Sequence, residues 1–234
     1  MKRINWLFTF TSLSVLLVTI ERFSFTTSII LQPYSYLRLH EVVQMSLIIL
    51  LTVVIPAFFL KEVSHNFEAL KTKRGQILSL LFLIGVYFYA TGNGVHEVAS
   101  YLFNTFCPVN TFKSTLCGSM FFNDYYFGNI LYFIGAFLMT VPLILIKMMY
   151  PNKTFNRKDL PILLINGFIY AFAIFAYAAF DRVLVGVFYS LITMIVVDLL
   201  FLTIKGKKLN YPYTLFGVIT YTIGTIASLI VRFH

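Results

Sequence analysis

Seven apolar runs decide what this chain can fold into. Each is roughly twenty residues, the length a helix needs to cross about 30 Å of hydrocarbon. Backbone inside a bilayer has no water to bond to, so such runs become helices. The short alternating segments of a membrane β-barrel are absent. The expected fold is all-α: a polytopic integral membrane bundle of about seven transmembrane helices. It forms a single transmembrane domain over residues 1–234, with spans near 4–30, 40–60, 75–104, 124–148, 159–180, 183–204 and 211–232. Only 12% of the residues are charged, about half the share in a soluble domain.

The charges that remain are uneven. The 18 Lys and Arg against 9 Asp and Glu give a net charge of +9. In a soluble protein this would point to nucleic acid. Here the basic residues lie between apolar runs and no nucleic-acid motif is present, so the expected partners are membrane lipids and their headgroups. Thirteen basic residues, from Lys2 and Arg3 to Lys208, fall on the N-terminal side; Arg22, Arg38, Lys113, Arg182 and Arg232 fall on the other. Positive charge collects on the cytoplasmic side, so the expectation is a cytoplasmic N-terminus and an extracytoplasmic C-terminus. Bacterial inner membrane and eukaryotic membrane fit this equally. Met1-Lys-Arg and the run Ile4–Ile20 resemble a signal peptide, but Glu21-Arg22 follows where a small-residue cleavage site belongs, so the run is read as a retained span.

One stretch breaks the apolar pattern. Tyr89 to Asn104 closes the third span and carries Asn93, His96, Glu97, Ser100 and Asn104 at helical spacing on one face. Gly92 and Gly94, costly inside a helix, suggest a close backbone approach. The outer span ends add Glu21, His40, Glu41, Gln44, Asp124, Asp181 and Arg182. Asn123 is positioned to cap the fourth span. His96 lies about 30 Å from the inner start of its span, so a polar helix end emerging into solvent competes with any functional reading.

Three function classes follow. The first is a membrane-embedded hydrolase acting on a lipid, a lipid-linked group or a small molecule. His96, Glu97, Asp124, His40 and Glu41 are its catalytic candidates, and Asn93, Ser100, Asn104 and Arg182 its substrate contacts. His40, His96 and Asp124 could hold a divalent metal such as zinc, which takes three or four His or carboxylate ligands. The layout is loosely similar to seven-helix hydrolases of the alkaline ceramidase and adiponectin-receptor type. Their motifs are missing: the last span has no internal histidine, and Gly92 stands four before His96. The second class is a proton- or ion-coupled transporter using the outer layer and Asp198, which lies about 9 Å inside the sixth span, where an ionisable group is costly and usually functional. Asn166 is its expected partner, with a tyrosine or Thr203 as alternatives. The third is a non-catalytic membrane subunit or sensor.

The remaining features read as architecture. Cys107 and Cys117 share an outer loop, where a disulfide is permitted, and their spacing fits no C-x-x-C pair. Thr220, Gly224 and Ser228, and Gly128 with Gly135, suit close helix packing. The Phe and Tyr side chains, most of the 18% aromatic content, read as lipid-facing bulk and interface anchors.

Overall fold

The computed structural model describes residues 2–107, 115–151 and 155–234. Seven helices in it are long and apolar enough to cross a membrane. They are α1 (Arg3–Glu21), α2 (Leu39–Val63), α3 (Lys73–Phe106), α4 (Thr115–Met149), α5 (Leu160–Phe180), α6 (Val185–Thr203) and α7 (Pro212–Phe233). Leu80, Phe172 and Leu202 are 58%, 65% and 69% exposed, as residues facing lipid must be. The protein is therefore a multi-pass integral membrane protein. "Outer" below means the end carrying His96, and "inner" the end carrying Lys2. Lys113 and Lys153 of the charge pattern lie outside the described residues.

Local chemistry sets the ends. α3 opens at Thr72, whose hydroxyl accepts from Gly75 N at 3.1 Å. α5 follows a capping box in which Asn156 N donates to Asp159 Oδ2 at 2.9 Å and Lys158 N to Asn156 Oδ1 at 2.9 Å. Asp159 also takes Asn5 Nδ2 at 2.9 Å and the Lys2 ammonium, which ties α1 to α5 at the inner end. Lys147 is fully buried in the last turns of α4.

Three local features depart from regular spans. α1 is α-helical only to Glu21, while the apolar span runs on to Ser28. Ser24 then caps a short 3-10 turn, Phe25–Ser28, and Leu31 N→Leu37 O (2.9 Å) with Leu39 N→Ile29 O (2.8 Å) folds the next residues into a hairpin-like excursion. Tyr101 Oη donates to Ser35 O at 2.9 Å and docks that excursion on α3. α4 begins at Thr115, so Asn123 is not a cap; it lies inside a continuous helix and donates to Ser119 O at 2.9 Å. Aromatic rings pack this outer end against α3, with Phe103 against Phe121 at 5.4 Å. Finally, α2 and α4 each contain a π turn, Gln44–Ile48 and Asn123–Gly128.

Two seams hold the bundle. Gly85 and Gly92 on α3 meet Gly128 and Gly135 on α4, each pair seven residues apart. A Cβ on Gly92 would stand 2.2 Å from Tyr132 N, and one on Gly135 2.2 Å from Tyr89 N. The two backbones touch. Gly94, by contrast, faces open space, so only Gly92 fulfils the expected close approach. The second seam joins α7 to α5: Thr220 Oγ1 donates to Gly167 O (3.4 Å), Ser228 Oγ donates to Phe175 O (3.3 Å), and a Cβ on Gly224 would lie 2.7 Å from Ala171 O. Small residues let helices approach where lipid offers no hydrophobic drive. Cys107 and Cys117 are disulfide-bonded and link the outer ends of α3 and α4.

Gly92→Leu should force α3 and α4 apart and cost at least the 1–3 kcal/mol typical of overpacking, on the order of 3 kcal/mol here because backbone is the obstacle. Gly94→Leu should be tolerated. Melting of the detergent-purified variants, followed by gel filtration, checks both.

Candidate functional site

The outer ends of the first four helices carry four acids, Glu21, Glu41, Glu97 and Asp124, each given a different cation; all but the half-buried Glu21 are buried. Glu21 closes α1. Its Oε1 accepts from Thr26 Oγ1 at 2.5 Å, its Oε2 accepts from Gln44 Nε2 at 2.5 Å, and His40 Nδ1 stands 2.7 Å from Oε2. Glu41 is committed to Arg38, taking its backbone N at 2.8 Å and its Nε at 3.0 Å. Arg38 in turn lies 5.2 Å over the Tyr101 ring. Asp124, 1% exposed, faces His96: Nδ1 is 2.9 Å from Oδ1 and 3.2 Å from the Asp124 carbonyl oxygen. The His40 and His96 contacts with carboxylate oxygens are short but poorly aligned for hydrogen bonds. They act as charge contacts when the ring is protonated.

The π turns place two of these groups. A π turn adds a residue to the helical repeat and re-aims the side chains around it, commonly at functional sites. Gln44 opens the turn in α2 and reaches Glu21; Asp124 lies in the turn in α4 and reaches His96.

The polar stripe of α3 splits between neighbours. His96 and Glu97 are consecutive, so they point about 100° apart. His96 turns to α4. Glu97, 5% exposed, turns to α1, where Arg22 Nη2 stands 3.8 Å from Oε1. That distance is too long for a hydrogen bond. Both residues line a cavity of about 20 Å³, room for about one water. α2 contributes Gln44 and Thr52 to its wall, α3 adds Tyr89 and Asn93, and α4 and α5 supply Tyr132 and Tyr177. A larger depression of about 480 Å³ lies at the inner end over His65 and Glu68. It is an open surface hollow in the α2–α3 loop, where Lys71 and Glu68 pair at 3.5 Å in solvent.

The expected residues are therefore divided. Asn93 and Glu97 share the cavity, and His96 pairs with Asp124. Ser100 and Asn104 hydrogen-bond to each other at the exposed end of α3 (Asn104 Nδ2→Ser100 Oγ, 3.2 Å). Arg182 lies 5.3 Å over the Tyr125 ring, outside the cavity. The metal set His40, His96 and Asp124 is not assembled, because His40 is held by Glu21. No group of three or more His, Cys, Asp or Glu able to hold a metal forms among the described residues. Glu41 is spent on Arg38. Asp198 takes Thr222 Oγ1 at 3.1 Å to both oxygens, on the α6–α7 face. Asn166 instead donates to Ile162 O (2.7 Å) and Thr9 Oγ1 (3.5 Å).

Sequence reasoning missed the tyrosines. Tyr89 and Tyr132 pair at 3.1 Å, and Tyr189 and Tyr221 at 2.8 Å, between helices and not toward lipid. The usable signal is that these phenols fall inside apolar spans, where a hydroxyl needs a partner. Arg22, read only as an outer basic residue beside the first apolar run, is the other omission.

Asp181 follows α5, in the short link to α6. Burial pushes its carboxyl above the ordinary value, opposed by the backbone N–H groups of Val183 and Arg182. Asn129 Nδ2 lies 3.4 Å from it.

The chain matches no family model, no curated protein and no solved structure.

Two outcomes follow. His96→Ala strands a buried carboxylate and should cost about 3 kcal/mol, whereas the double variant His96→Leu/Asp124→Leu, which removes both charges, should recover part of that loss; melting curves of the two variants test it. For Asp181, a raised folded pKa means stability is greatest with the acid protonated and falls as pH rises through that value. Asp181→Asn should therefore raise the melting temperature at pH 8 and leave it unchanged at pH 4.

Proposed function

We propose that this protein is an ion-coupled membrane carrier whose binding site is the recessed cavity between Arg22 and Glu97. One observation carries the reading. Glu97 is 5% exposed and faces a cation at 3.8 Å across a cavity walled by five helices. Ionisable groups turned inward at such positions mark ion and proton pathways. The polar stripe is thus recessed into the bundle at Glu97, and solvation explains only its Ser100–Asn104 end.

The cycle follows from electrostatics. Arg22 attracts Glu97 without a direct hydrogen bond, so the pair is open to competition. A proton or small cation arriving at Glu97 releases Arg22, and its departure draws Arg22 back. The Glu21 contacts with His40 and Gln44 join α1 to α2 above the cavity and form its outer clasp. The glycine seam makes α3 and α4 one rigid unit, and the small-residue seam joins α5 to α7. Motion between these units would open the cavity to one side or the other. In the orientation given by the charge pattern, the clasp faces the extracytoplasmic side.

A hydrolase retains one supporting feature, the His96–Asp124 pair, since a buried acid orients an imidazole for proton transfer. Among the described residues, no group of three or more His, Cys, Asp or Glu able to hold a metal forms beside the ring.

Proteoliposomes on a solid-supported membrane should give a transient current on a jump in pH, Na⁺ or K⁺. Glu97→Gln and Arg22→Gln should each reduce it at least ten-fold, while Glu68→Gln in the solvated inner loop should not. Wild-type protein that gives no current above empty liposomes with any of the three ions refutes the carrier. Turnover of a lipid ester that His96→Ala abolishes would put a hydrolase in its place.

A further inference from the structure

The cavity does not end at Glu97. Its walls include Tyr89 and Tyr132, with hydroxyls 3.1 Å apart and rings stacked at 4.5 Å, and Tyr177 stacks on Tyr132 at 6.1 Å. A second hydroxyl group lies deeper. Tyr189 and Tyr221 pair at 2.8 Å, Tyr221 meets Thr140 at 3.4 Å, and Thr140 also faces Tyr213 in the first turn of α7, at the inner end. Tyr170 packs into both buried clusters, the one that takes in Tyr89 and the one that takes in Tyr189 and Tyr221. Phe133, 5% exposed, fills the space between them. It stacks on Tyr189 at 4.4 Å and meets Tyr177 edge-on at 5.8 Å.

Packing alone does not call for this. Phenylalanine fills nearly the same volume as tyrosine without a hydroxyl that must find a partner in an apolar interior. A phenol both donates and accepts one proton, as does a threonine hydroxyl, so a file of them can pass a proton without holding a charge. We infer that these hydroxyls relay protons between the Glu97 cavity and the inner face, that Phe133 is the gate interrupting the file in this state, and that the carrier's coupling ion is the proton. The inference rests on the carrier reading.

The step balances. The protonated Glu97 carboxyl gives its proton to a phenol oxygen as that phenol's own proton passes to the next oxygen. Each hydroxyl ends neutral, and rotation about its C–O bond resets it. The last hydroxyl, that of Tyr213, passes its proton to water at the inner face, Glu97 is left as a carboxylate, and no electron moves.

The test uses the full chain in proteoliposomes. Tyr221→Phe and Thr140→Val should each cut the pH-jump current about ten-fold. Phe133→Ser, which puts a hydroxyl in the gap, should raise it several-fold. Tyr87→Phe, at a ring 65% exposed to lipid, should leave it unchanged. Gel filtration and melting confirm that each variant is folded; Tyr213→Phe replaces Tyr221→Phe or Thr140→Val where one is not, and Phe133→Thr replaces Phe133→Ser. A pH-jump current that survives both Tyr221→Phe and Thr140→Val, and is not raised by Phe133→Ser, overturns the file. A Na⁺ or K⁺ current without a proton current overturns it too, yet leaves the carrier standing. Silence with all three ions removes the carrier itself.

Discussion

Backbone contact between α3 and α4 is the constraint on which the rest depends. Four glycines let the two helices touch along two turns, and no side chain larger than hydrogen fits there. The outer part of the crossing lies beside His96, since a Cβ on Gly128 would stand 2.9 Å from His96 N. The same contact therefore brings the imidazole to Asp124 and the Tyr89 hydroxyl to Tyr132. Were the helices at the 8–10 Å usual between axes, with larger residues between them, both pairs would open. In lipid there is little hydrophobic gain from helix association, so the seam is stabilised by dispersion contacts and by the polar pairs it permits.

Those pairs carry a cost. Moving a carboxylate out of water costs several kcal/mol even after relaxation, and a partner offsets it only with good geometry. Glu21 is well served, with two aligned donors and a nearby imidazole. Asp124 and Glu97 are not, having one misaligned contact and one at 3.8 Å. Stability alone would favour apolar residues at both positions. Poorly compensated charge in a well-packed bundle marks candidate sites, and it separates Glu97 and Asp124 from Glu41, which Arg38 holds fully.

Much of the fold was legible because hydrocarbon leaves few choices. Span count, the all-α class, the disulfide and the seams at Gly128–Gly135 and Thr220–Ser228 all follow from length, apolarity, compartment chemistry and small-residue spacing. The site was legible only in part. His96, Glu97 and Asn93 were visible as polar residues on an apolar helix. Their division between neighbours was not, because periodicity gives a face and not the partner that covers it. The π turns left no mark in composition, so Asn123 read as a cap and the register of Asp124 was hidden. Asp198 went to Thr222 and not Asn166 because α6 packs on α7 at that level, a tertiary fact that depth alone does not contain. The tyrosines were misread because the sequence does not say whether a ring in an apolar span faces lipid or a neighbouring helix.

The bridge between Cys107 and Cys117 has a consequence for the helices it joins. Thiols pair and persist mainly in oxidising compartments, so a bond here requires that the outer ends of α3 and α4 be exposed to one. The bridge closes the same pair of helices that the glycine seam holds, and the two constraints reinforce each other: backbone contact keeps the sulfurs within reach, and the joined sulfurs keep the outer ends from parting.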